Sequence, residues 1–266
     1  MQAFLGPVFF MIITIIQPDI VWEDKKANLD HIGKLLETIP SETNLVVLPE
    51  MFTTGFSMNT QSLAENSFSQ TYTWMVNVSK KRQLGICGSF IVKEESSNHN
   101  RFIFISSDDN SAFYDKRHLF SIGGEDKNFR RGNMRTIFQY SGFRINPVIC
   151  YDLRFPVWIR NRNDYDLLIC VANWPDSRRE VWKTLLKARA IENQCFVAGV
   201  NRVGIDNAGN AYAGDSVIID PRGQIIASIP EYREGIASAE ISLKELLDFR
   251  DKFPAWKDAD EFEIQS

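Results

Sequence analysis

The sequence lacks an excess of basic residues. Its 266 residues include 30 Lys and Arg against 34 Asp and Glu, and the formal net charge at pH 7 is -4. A protein that follows the phosphates of a nucleic acid needs a clustered surplus of Lys and Arg, so this composition argues against a nucleic-acid surface. Any anion that the protein recognises must therefore be bound locally, by a few side chains.

Cysteine is also scarce and has no metal-binding arrangement. The chain has four cysteines, which are far apart in sequence: Cys87, Cys150, Cys170 and Cys195. They form no C-x-x-C pair, and no histidine stands near them at zinc spacing. This pattern predicts free thiols in a reducing compartment, and hence a cytoplasmic protein without a metal site.

The sequence offers no membrane-spanning segment. The apolar run over residues 3–16 is too short to cross a bilayer, and it lacks the positive start and small-residue cleavage site of a signal peptide. Its second half resembles a buried strand, whereas residues 1–10 carry no pattern that we can place. We expect the fold to start at Met11, residues 1–10 to be an extension of uncertain role, and no membrane partner.

Linkers, low-complexity tracts and charge blocks are absent as well, so nothing divides the chain. The hydrophobic share of 44% and the charged share of 24% are close to the averages for globular proteins. A chain of this length can be organised around one core. We therefore predict a single domain over residues 11–266.

Apolar segments of strand length alternate with helical patterns, which predicts an α/β domain. Helices are expected in five places: residues 25–39, roughly 63–82, after Pro156, 178–193 and after Ser242. Short polar connections predict antiparallel strands within 85–116 and within 216–228. Continuous apolar runs such as NLVVL and LLICV predict strands buried on both faces, and two sheets with helices on their outer faces satisfy that pattern.

Three residues that can carry chemistry stand at or near predicted strand ends. Glu50 follows NLVVLP, Lys116 follows SAFYD and Cys150 follows INPVI. The carboxyl ends of strands form the ligand crevice of α/β sheets, so these groups can converge there. Each alone also fits an ordinary role, as a solvated turn acid, a surface lysine or a core thiol. Together they are the parts needed for acyl transfer by a thiolate.

The stretches around these residues resemble a known family. LPEMFTTGF from Leu48, YDKRHLF from Tyr114 and VICYDLRFP from Val148 are similar, in this order, to the three catalytic motifs of the nitrilase superfamily. The likeness continues through residues 173–223 and covers the chain from Ile12 to about Phe249. It is greatest to the omega-amidases, which remove ammonia from the distal amide of short oxo-dicarboxylic acid monoamides.

The resemblance implies a fold and an assembly. The expected fold is a four-layer α-β-β-α sandwich of two mixed sheets, and the expected assembly is at least a homodimer that pairs through one helical face. Three apolar residues of the tail could lie across the partner: Phe253, Trp256 and Phe262.

The resemblance also implies catalytic roles. Cys150 is the implied nucleophile, and Glu50 is its general base. Lys116 and the backbone N–H of Tyr151 are implied to stabilise the negative oxygen of the tetrahedral intermediate. Glu125 matches a second glutamate of the family's pocket, which holds the lysine and positions the substrate amide. The reaction passes through a thioester on the cysteine and requires no metal or organic cofactor.

Three further residues are candidates for substrate binding, and each has a structural alternative. Asn173 and Trp174 follow LLICVA at a strand end and are expected to border the pocket, although a helix-entry turn explains Trp174 equally well. Arg154, four residues after Cys150, can hold a substrate carboxylate with its planar fork. A salt bridge from Arg154 to Asp152 or another acid is the alternative.

Related functions stay open at this point. An aliphatic amidase, a nitrilase or an N-carbamoyl hydrolase would share Glu50, Lys116 and Cys150 and differ in the pocket lining. A non-catalytic metabolite-binding protein could also use the fold, although the intact residue set favours an enzyme. His118 is not needed as a base when Glu50 supplies one. The GGED and NAGN segments match no phosphate-binding spacing, so no nucleotide site is expected.

Overall fold

Strands and helices alternate along the computed structural model, which describes residues 10–66 and 69–264. The strands are β1 Phe10–Gln17, β2 Leu45–Val47, β3 Gly85–Glu94, β4 Ser97–Ile105, β5 Ser111–Asp115, β6 Phe138–Tyr140, β7 Phe143–Ile149, β8 Leu167–Val171, β9 Phe196–Val200, β10 Val203–Ile205, β11 Ala211–Ala213, β12 Val217–Ile219, β13 Ile225–Ser228 and β14 Gly235–Ser242. The helices are α1 Lys25–Leu36, α2 Thr60–Leu63, α3 Gln70–Arg82, α4 Pro156–Ile159, α5 Arg179–Asn193 and α6 Leu243–Lys252.

Two six-stranded mixed sheets organise the chain. The first has the order β14-β1-β2-β3-β4-β5, and the second has the order β13-β12-β9-β8-β7-β6. In the first sheet β1, β2 and β3 run parallel, and in the second β7, β8 and β9 do. The flanking strands pair antiparallel. The three central strands of each sheet are therefore parallel, and their carboxyl ends lie at the same edge of that sheet.

Alternate residues of β2 show how the layers pack. Leu45 and Val47 belong to the core between the sheets, which also contains Ile145 of β7. Val46 faces the other way and packs with Leu29 of α1. On the second sheet, α5 packs against β9 and β12. Both faces of the central strands are buried as expected, and the predicted α-β-β-α sandwich is confirmed.

The helix expected over residues 63–82 starts later than predicted. It begins at Gln70, where the Ser69 Oγ caps the helix by accepting the backbone N–H of Tyr72 at 3.3 Å. Glu65, five residues before the helix, forms a β-bridge to Val92 of β3, which holds that part of the chain extended. Residues 67 and 68 lie outside the described ranges.

The strand β14 was not predicted, because its sequence GIASAEIS is rich in small residues and lacks a continuous apolar run. It pairs with β1 over its whole length, from Phe10 opposite Ser242 to Gln17 opposite Gly235. The first strand therefore begins one residue before the expected start at Met11. Residues 1–9, most of the expected extension, lie outside the described ranges.

The tail after α6 lies at the surface. Phe253 is 62% exposed and Trp256 is 37% exposed. The backbone oxygen of Phe262 accepts a hydrogen bond from Arg162 Nη2 at 3.0 Å, so this residue is held by its own chain. Among the described residues, no helix combines the length and apolar character needed to cross a bilayer.

Candidate active site

The predicted catalytic side chains meet where strands of both sheets end. Glu50 lies three residues after β2, Lys116 follows β5 directly, and Cys150 follows β7 directly. Glu50 is fully buried, and Lys116 is 1% exposed. The structure therefore brings these three side chains together at strand ends, as we expected.

Two buried carboxylates share one ammonium group at this place. Lys116 Nζ donates to Glu50 Oε1 at 2.8 Å. The same Nζ lies 3.0 Å from Glu125 Oε1 and 2.9 Å from Glu125 Oε2. Glu125 is fully buried, and its Oε2 accepts the backbone N–H of Phe120 at 2.6 Å. The expectation that Glu125 holds Lys116 therefore agrees with the geometry.

Asn100 of β4 is a further member of this cluster, and it was missed by sequence reasoning. Its Nδ2 donates to Glu50 Oε1 at 2.8 Å and to Glu125 Oε1 at 3.1 Å. Its Oδ1 accepts from Ser89 Oγ at 2.9 Å, and Ser89 Oγ accepts the backbone N–H of Met51 at 3.0 Å. This chain of donors allows only one orientation of the Asn100 amide. Asn100 stands in the polar stretch SNHNR at the start of β4, where one more polar side chain gives no signal of that role.

The charges of the cluster set the protonation of its members. Burial alone lowers the pKa of Lys116, but the carboxylates of Glu125 and Glu50 outweigh burial and raise that pKa above its ordinary value. Burial raises the pKa of Glu125, and the charge of Lys116 opposes this only in part. Lys116 is therefore a permanent cation, which suits a donor to a developing negative oxygen.

The thiol of Cys150 is kept protonated by its surroundings. Burial, followed by the negative charge of Glu50, raises the pKa of the Cys150 thiol well above its ordinary value. The charge of Lys116 acts in the opposite direction but is the weaker influence. A neutral thiol at physiological pH needs a base at the moment of attack.

The backbone is strained at both functional turns. Cys150 has a φ of 46° and Met51, which follows Glu50, has a φ of 43°. Residues with a Cβ rarely adopt this left-handed region, and such strain clusters at functional sites where the surroundings maintain it. The Cys150 turn also brings Sγ to 3.9 Å from the backbone oxygen of Asn173.

Asn173 connects Glu50 to the end of β8. Its backbone N–H donates to Glu50 Oε2 at 2.7 Å, and its side-chain Nδ2 donates to the backbone oxygen of Glu50 at 2.5 Å. The residue thus orients the carboxylate of Glu50 as well as lining the cavity beside Cys150. Sequence reasoning placed Asn173 at the pocket border and did not foresee its bonds to Glu50.

A cavity of about 710 Å³ opens in front of Cys150 and Lys116. The candidate residues Tyr151, Arg154 and Trp174 also line it, and so does Arg178. The Arg154 guanidinium lies 5.1 Å from the centre of the Trp174 ring, and the Arg178 guanidinium lies 5.6 Å from that of Phe120. Two guanidinium groups therefore line the same cavity, and the sequence analysis had identified only that of Arg154.

The proposed salt bridge between Arg154 and Asp152 is absent. Asp152 is fully buried and accepts hydrogen bonds from Tyr114, His118 and Ile149 instead. None of the ion pairs found within residues 10–66 and 69–264 includes Arg154. Within those ranges no carboxylate neutralises its guanidinium, and Arg154 lines the cavity.

Trp174 has both of the roles considered for it. Its indole Nε1 donates to the backbone oxygen of Arg178 at 2.9 Å, and its backbone N–H donates to Asn201 Oδ1 at 2.9 Å. These bonds fix the turn that enters α5. The ring also lines the cavity and supports Arg154.

One group of three possible metal ligands occurs in the described part of the chain, formed by Glu94, His99 and Asp115. Arg101 makes ion pairs with Glu94 and Asp115, the latter at 2.7 Å. A guanidinium thus already neutralises the two carboxylates, and the group gives no indication of a cation site.

Comparison with known sequences agrees with the geometry. The carbon-nitrogen hydrolase family profile matches residues 12–251. The chain is 47% identical over 254 residues to the omega-amidase YafV of Escherichia coli strain K12, which covers 95% of this chain and 98% of the relative. It is 35% identical over 252 residues to the 2-oxoglutaramate amidase of Bacillus subtilis strain 168, which covers 92% of this chain and 96% of that relative.

A solved structure matches the fold nearly throughout. The crystal structure of XC1258 from Xanthomonas campestris, a CN-hydrolase superfamily protein with an arsenic adduct in the active site, superposes with a TM-score of 0.93. The two chains are 41% identical, and the match covers 98% of this chain and 100% of the other. From its fold, its sequence relatives and its profile match, the chain belongs to the carbon-nitrogen hydrolase family of the nitrilase superfamily.

Proposed function

We propose that this protein is an omega-amidase, which hydrolyses the distal amide of a small oxo-dicarboxylic acid monoamide to the acid and ammonia. The substrates we infer are 2-oxoglutaramate and 2-oxosuccinamate. One observation carries the proposal: the cavity in front of Cys150 and Lys116 is also lined by Arg154, whose guanidinium has no ion-pair partner among the described residues. The named activities of the similar omega-amidase and 2-oxoglutaramate amidase support it.

The first half-reaction forms a thioester. Cys150 Sγ bonds to the amide carbon while its proton passes to the Glu50 carboxylate. The carbonyl oxygen becomes negative and is stabilised by Lys116 Nζ and the backbone N–H of Tyr151. The carbon–nitrogen bond then breaks, and the nitrogen takes the proton from Glu50 and leaves as ammonia.

The second half-reaction uses the same groups in reverse order. Glu50, again ionised, takes a proton from a water molecule as that water attacks the thioester carbon. The oxyanion forms in the same place and meets the same donors. The carbon–sulfur bond breaks, Cys150 recovers its proton from Glu50, and the acid departs. We infer that Glu125 and Asn100 hold Lys116 and Glu50 in register through both steps, since Glu125 accepts a hydrogen bond from Lys116 and Asn100 donates one to Glu50.

A panel of substrates tests the proposed function. Ammonia release should be fastest, in kcat/KM, with 2-oxoglutaramate and 2-oxosuccinamate. Glutamine, asparagine, a simple nitrile and an N-carbamoyl amino acid should be poorer substrates. A clear preference for the nitrile or the carbamoyl compound would overturn the proposal and favour another reaction of the family.

Arg154 is proposed to anchor the substrate carboxylate, which predicts a substrate-dependent effect of its removal. Arg154→Met keeps a long apolar stem against Trp174 and removes the guanidinium. We expect kcat/KM for 2-oxoglutaramate to fall about ten- to a hundredfold, because charge-assisted hydrogen bonds contribute about 1.5–3 kcal/mol. Hydrolysis of an uncharged amide of similar length should change little.

The exposed Arg131, which does not line the cavity, provides the matched control. Arg131→Met should leave both substrates unaffected. Equal losses of Arg154→Met on charged and uncharged amides would assign Arg154 a structural role. Arg178→Met, measured on the same pair, shows whether the second guanidinium shares the carboxylate.

We infer that two copies of the chain pair through the face of α5. Val181 and Ile191 on this helix are 36% and 49% exposed, and Ile225 of the neighbouring β13 is 60% exposed. Exposed apolar side chains of this kind favour association. Sedimentation equilibrium should return twice the mass of the chain, and Val181→Glu should shift it toward the monomer. A monomeric parent protein would contradict the inference.

We also infer a cytoplasmic location. All four cysteines are free, which suits a reducing compartment. Cell fractionation of the protein at its native expression level tests the location directly.

A further inference from the structure

The buried carboxylate of Asp152 joins two segments around the proposed site: residues 114–118 and the turn at the end of β7. Asp152 Oδ2 accepts Tyr114 Oη at 2.8 Å and the backbone N–H of Ile149 at 3.0 Å. Asp152 Oδ1 accepts the backbone N–H of His118 at 2.8 Å, and it lies 2.8 Å from His118 Nδ1. A carboxylate only accepts, so Nδ1 of His118 carries the proton in this contact.

The residues that donate hydrogen bonds to Asp152 are close in sequence to the two groups proposed to stabilise the oxyanion. Lys116 lies between Tyr114 and His118, two residues from each. Tyr151 lies directly before Asp152 and two residues after Ile149. Lys116 comes from the first sheet and Tyr151 from the second, so the carboxylate ties together donors that the two sheets supply separately.

Tyr114 is itself firmly held. Its Oη accepts Trp158 Nε1 at 3.0 Å and the backbone N–H of Arg117 at 3.2 Å while donating to Asp152. Burial, followed by the charge of Asp152, raises the pKa of Tyr114 well above its ordinary value, so the phenol stays a neutral donor. The hydroxyl of Tyr114 thus donates one hydrogen bond and accepts two, and a water molecule could replace a partner only if the surrounding groups moved.

His118 supports the same carboxylate from the other side. Its ring stacks on Phe155, with centroids 3.8 Å apart and an angle of 7° between the planes. Phe155 also lies edge-on to Tyr151, at 5.2 Å between centroids. The segment after Cys150 and the segment after Lys116 are therefore joined by stacking as well as by hydrogen bonds.

We propose that Asp152 is a positioning residue that sets the spacing between Lys116 and the Tyr151 N–H, and so builds the oxyanion hole across the two sheets. The proposal rests on the amidase mechanism given above. Oxyanion donors must lie about 2.7–3.1 Å from the developing oxygen. A displacement of about 1 Å can cost a hundredfold in rate.

Tyr114→Phe is the most informative variant, because it removes one donor to Asp152 and keeps the ring. We expect kcat for 2-oxoglutaramate to fall about tenfold or more, with KM changed less than about threefold, since the substrate carboxylate is bound elsewhere. Alkylation of Cys150 by iodoacetamide involves no oxyanion. Its rate should therefore stay within about twofold of the parent.

Tyr165 supplies the matched control. It is also fully buried, and its Oη donates to the backbone oxygen of Ile159 at 2.7 Å, away from the oxyanion donors. Tyr165→Phe should change neither kcat nor the alkylation rate. A second test variant, His118→Phe, keeps the stacking on Phe155 and the backbone bond to Asp152 but removes the ring donor. The kcat of His118→Phe should also fall, by a smaller factor than that of Tyr114→Phe. If Tyr114→Phe does not fold, His118→Phe provides the test.

The outcomes separate the possible failures. An unchanged kcat in Tyr114→Phe and His118→Phe would overturn the proposal, and so would an equal fall of hydrolysis and alkylation, which would indicate a general disturbance of the Cys150 turn. Failure of the parent protein to release ammonia from any amide would instead reject the proposed function, and this proposal with it. A loss of kcat confined to hydrolysis supports the proposal.

Discussion

Replacement of Cys150 by Ala is expected to abolish hydrolysis and leave the fold intact. Removal of a catalytic nucleophile typically lowers kcat by about 10⁴-fold or more. Alanine carries the same Cβ as cysteine, so the left-handed turn with its φ of 46° is no more strained than before. Ammonia release and the thermal unfolding midpoint, measured on the same preparation, check both halves of the expectation.

The control for this variant is Cys195, which directly precedes β9 of the second sheet. Cys195 is fully buried, does not line the cavity, and contacts the backbone oxygen of Arg189 through its sulfur at 3.8 Å. Cys195→Ala should lower the unfolding midpoint modestly and keep turnover. Residual activity in Cys150→Ala, or a loss that follows stability in both variants, would contradict the nucleophile assignment.

Replacement of Glu50 by Gln is expected to have opposite effects on turnover and on thiol reactivity. Turnover should fall about 10²- to 10⁴-fold, because the general base is lost. Burial and then the charge of Glu50 raise the pKa of the Cys150 thiol, which is protonated below that pKa. Removal of the Glu50 charge takes away one of the raising causes. The pKa should fall, and thiolate should appear at a lower pH.

The measurement is the rate of Cys150 alkylation by iodoacetamide as a function of pH, which should shift to lower pH in Glu50→Gln. Glu65 offers the matched control, since it is 7% exposed and its Oε1 accepts Thr71 Oγ1 at 2.6 Å outside the site. Glu65→Gln should leave both the pH profile and turnover in place. A shift of the profile to higher pH in Glu50→Gln would show that the carboxylate promotes the thiolate instead of opposing it.

The positions of Glu50, Lys116 and Cys150 could be predicted from sequence because each stands at or near the end of a segment that is recognisable as a strand. Strand ends of parallel sheets meet on one side, so strand-end residues from distant parts of the chain become neighbours. The same reasoning explains why β2 and β8 were recognised, since burial on both faces leaves an uninterrupted apolar run. The contact between Glu125 and Lys116, which the family resemblance implied, is present in the structure.

Residues whose role depends on a partner far away in sequence were not predictable in this way. Asn100 lies within a strand, and its importance comes from carboxylates 50 and 25 residues away. Asp152 was considered only as a partner for Arg154, because adjacency in sequence suggested that pair. Its actual donors come from the end of β5 and the loop that follows, which only the packing of the two sheets brings near.

The pairing of β14 with β1 has a consequence for synthesis of the chain. Met11 lies opposite Ile241, so the strand β14, which pairs with one edge of β1, is synthesised about 230 residues after β1. Until then one edge of a strongly apolar strand has no hydrogen-bonding partner, and such edges recruit other chains. Contacts between residues this far apart in sequence also form slowly. Shortened products that stop before β14 should therefore be prone to aggregate.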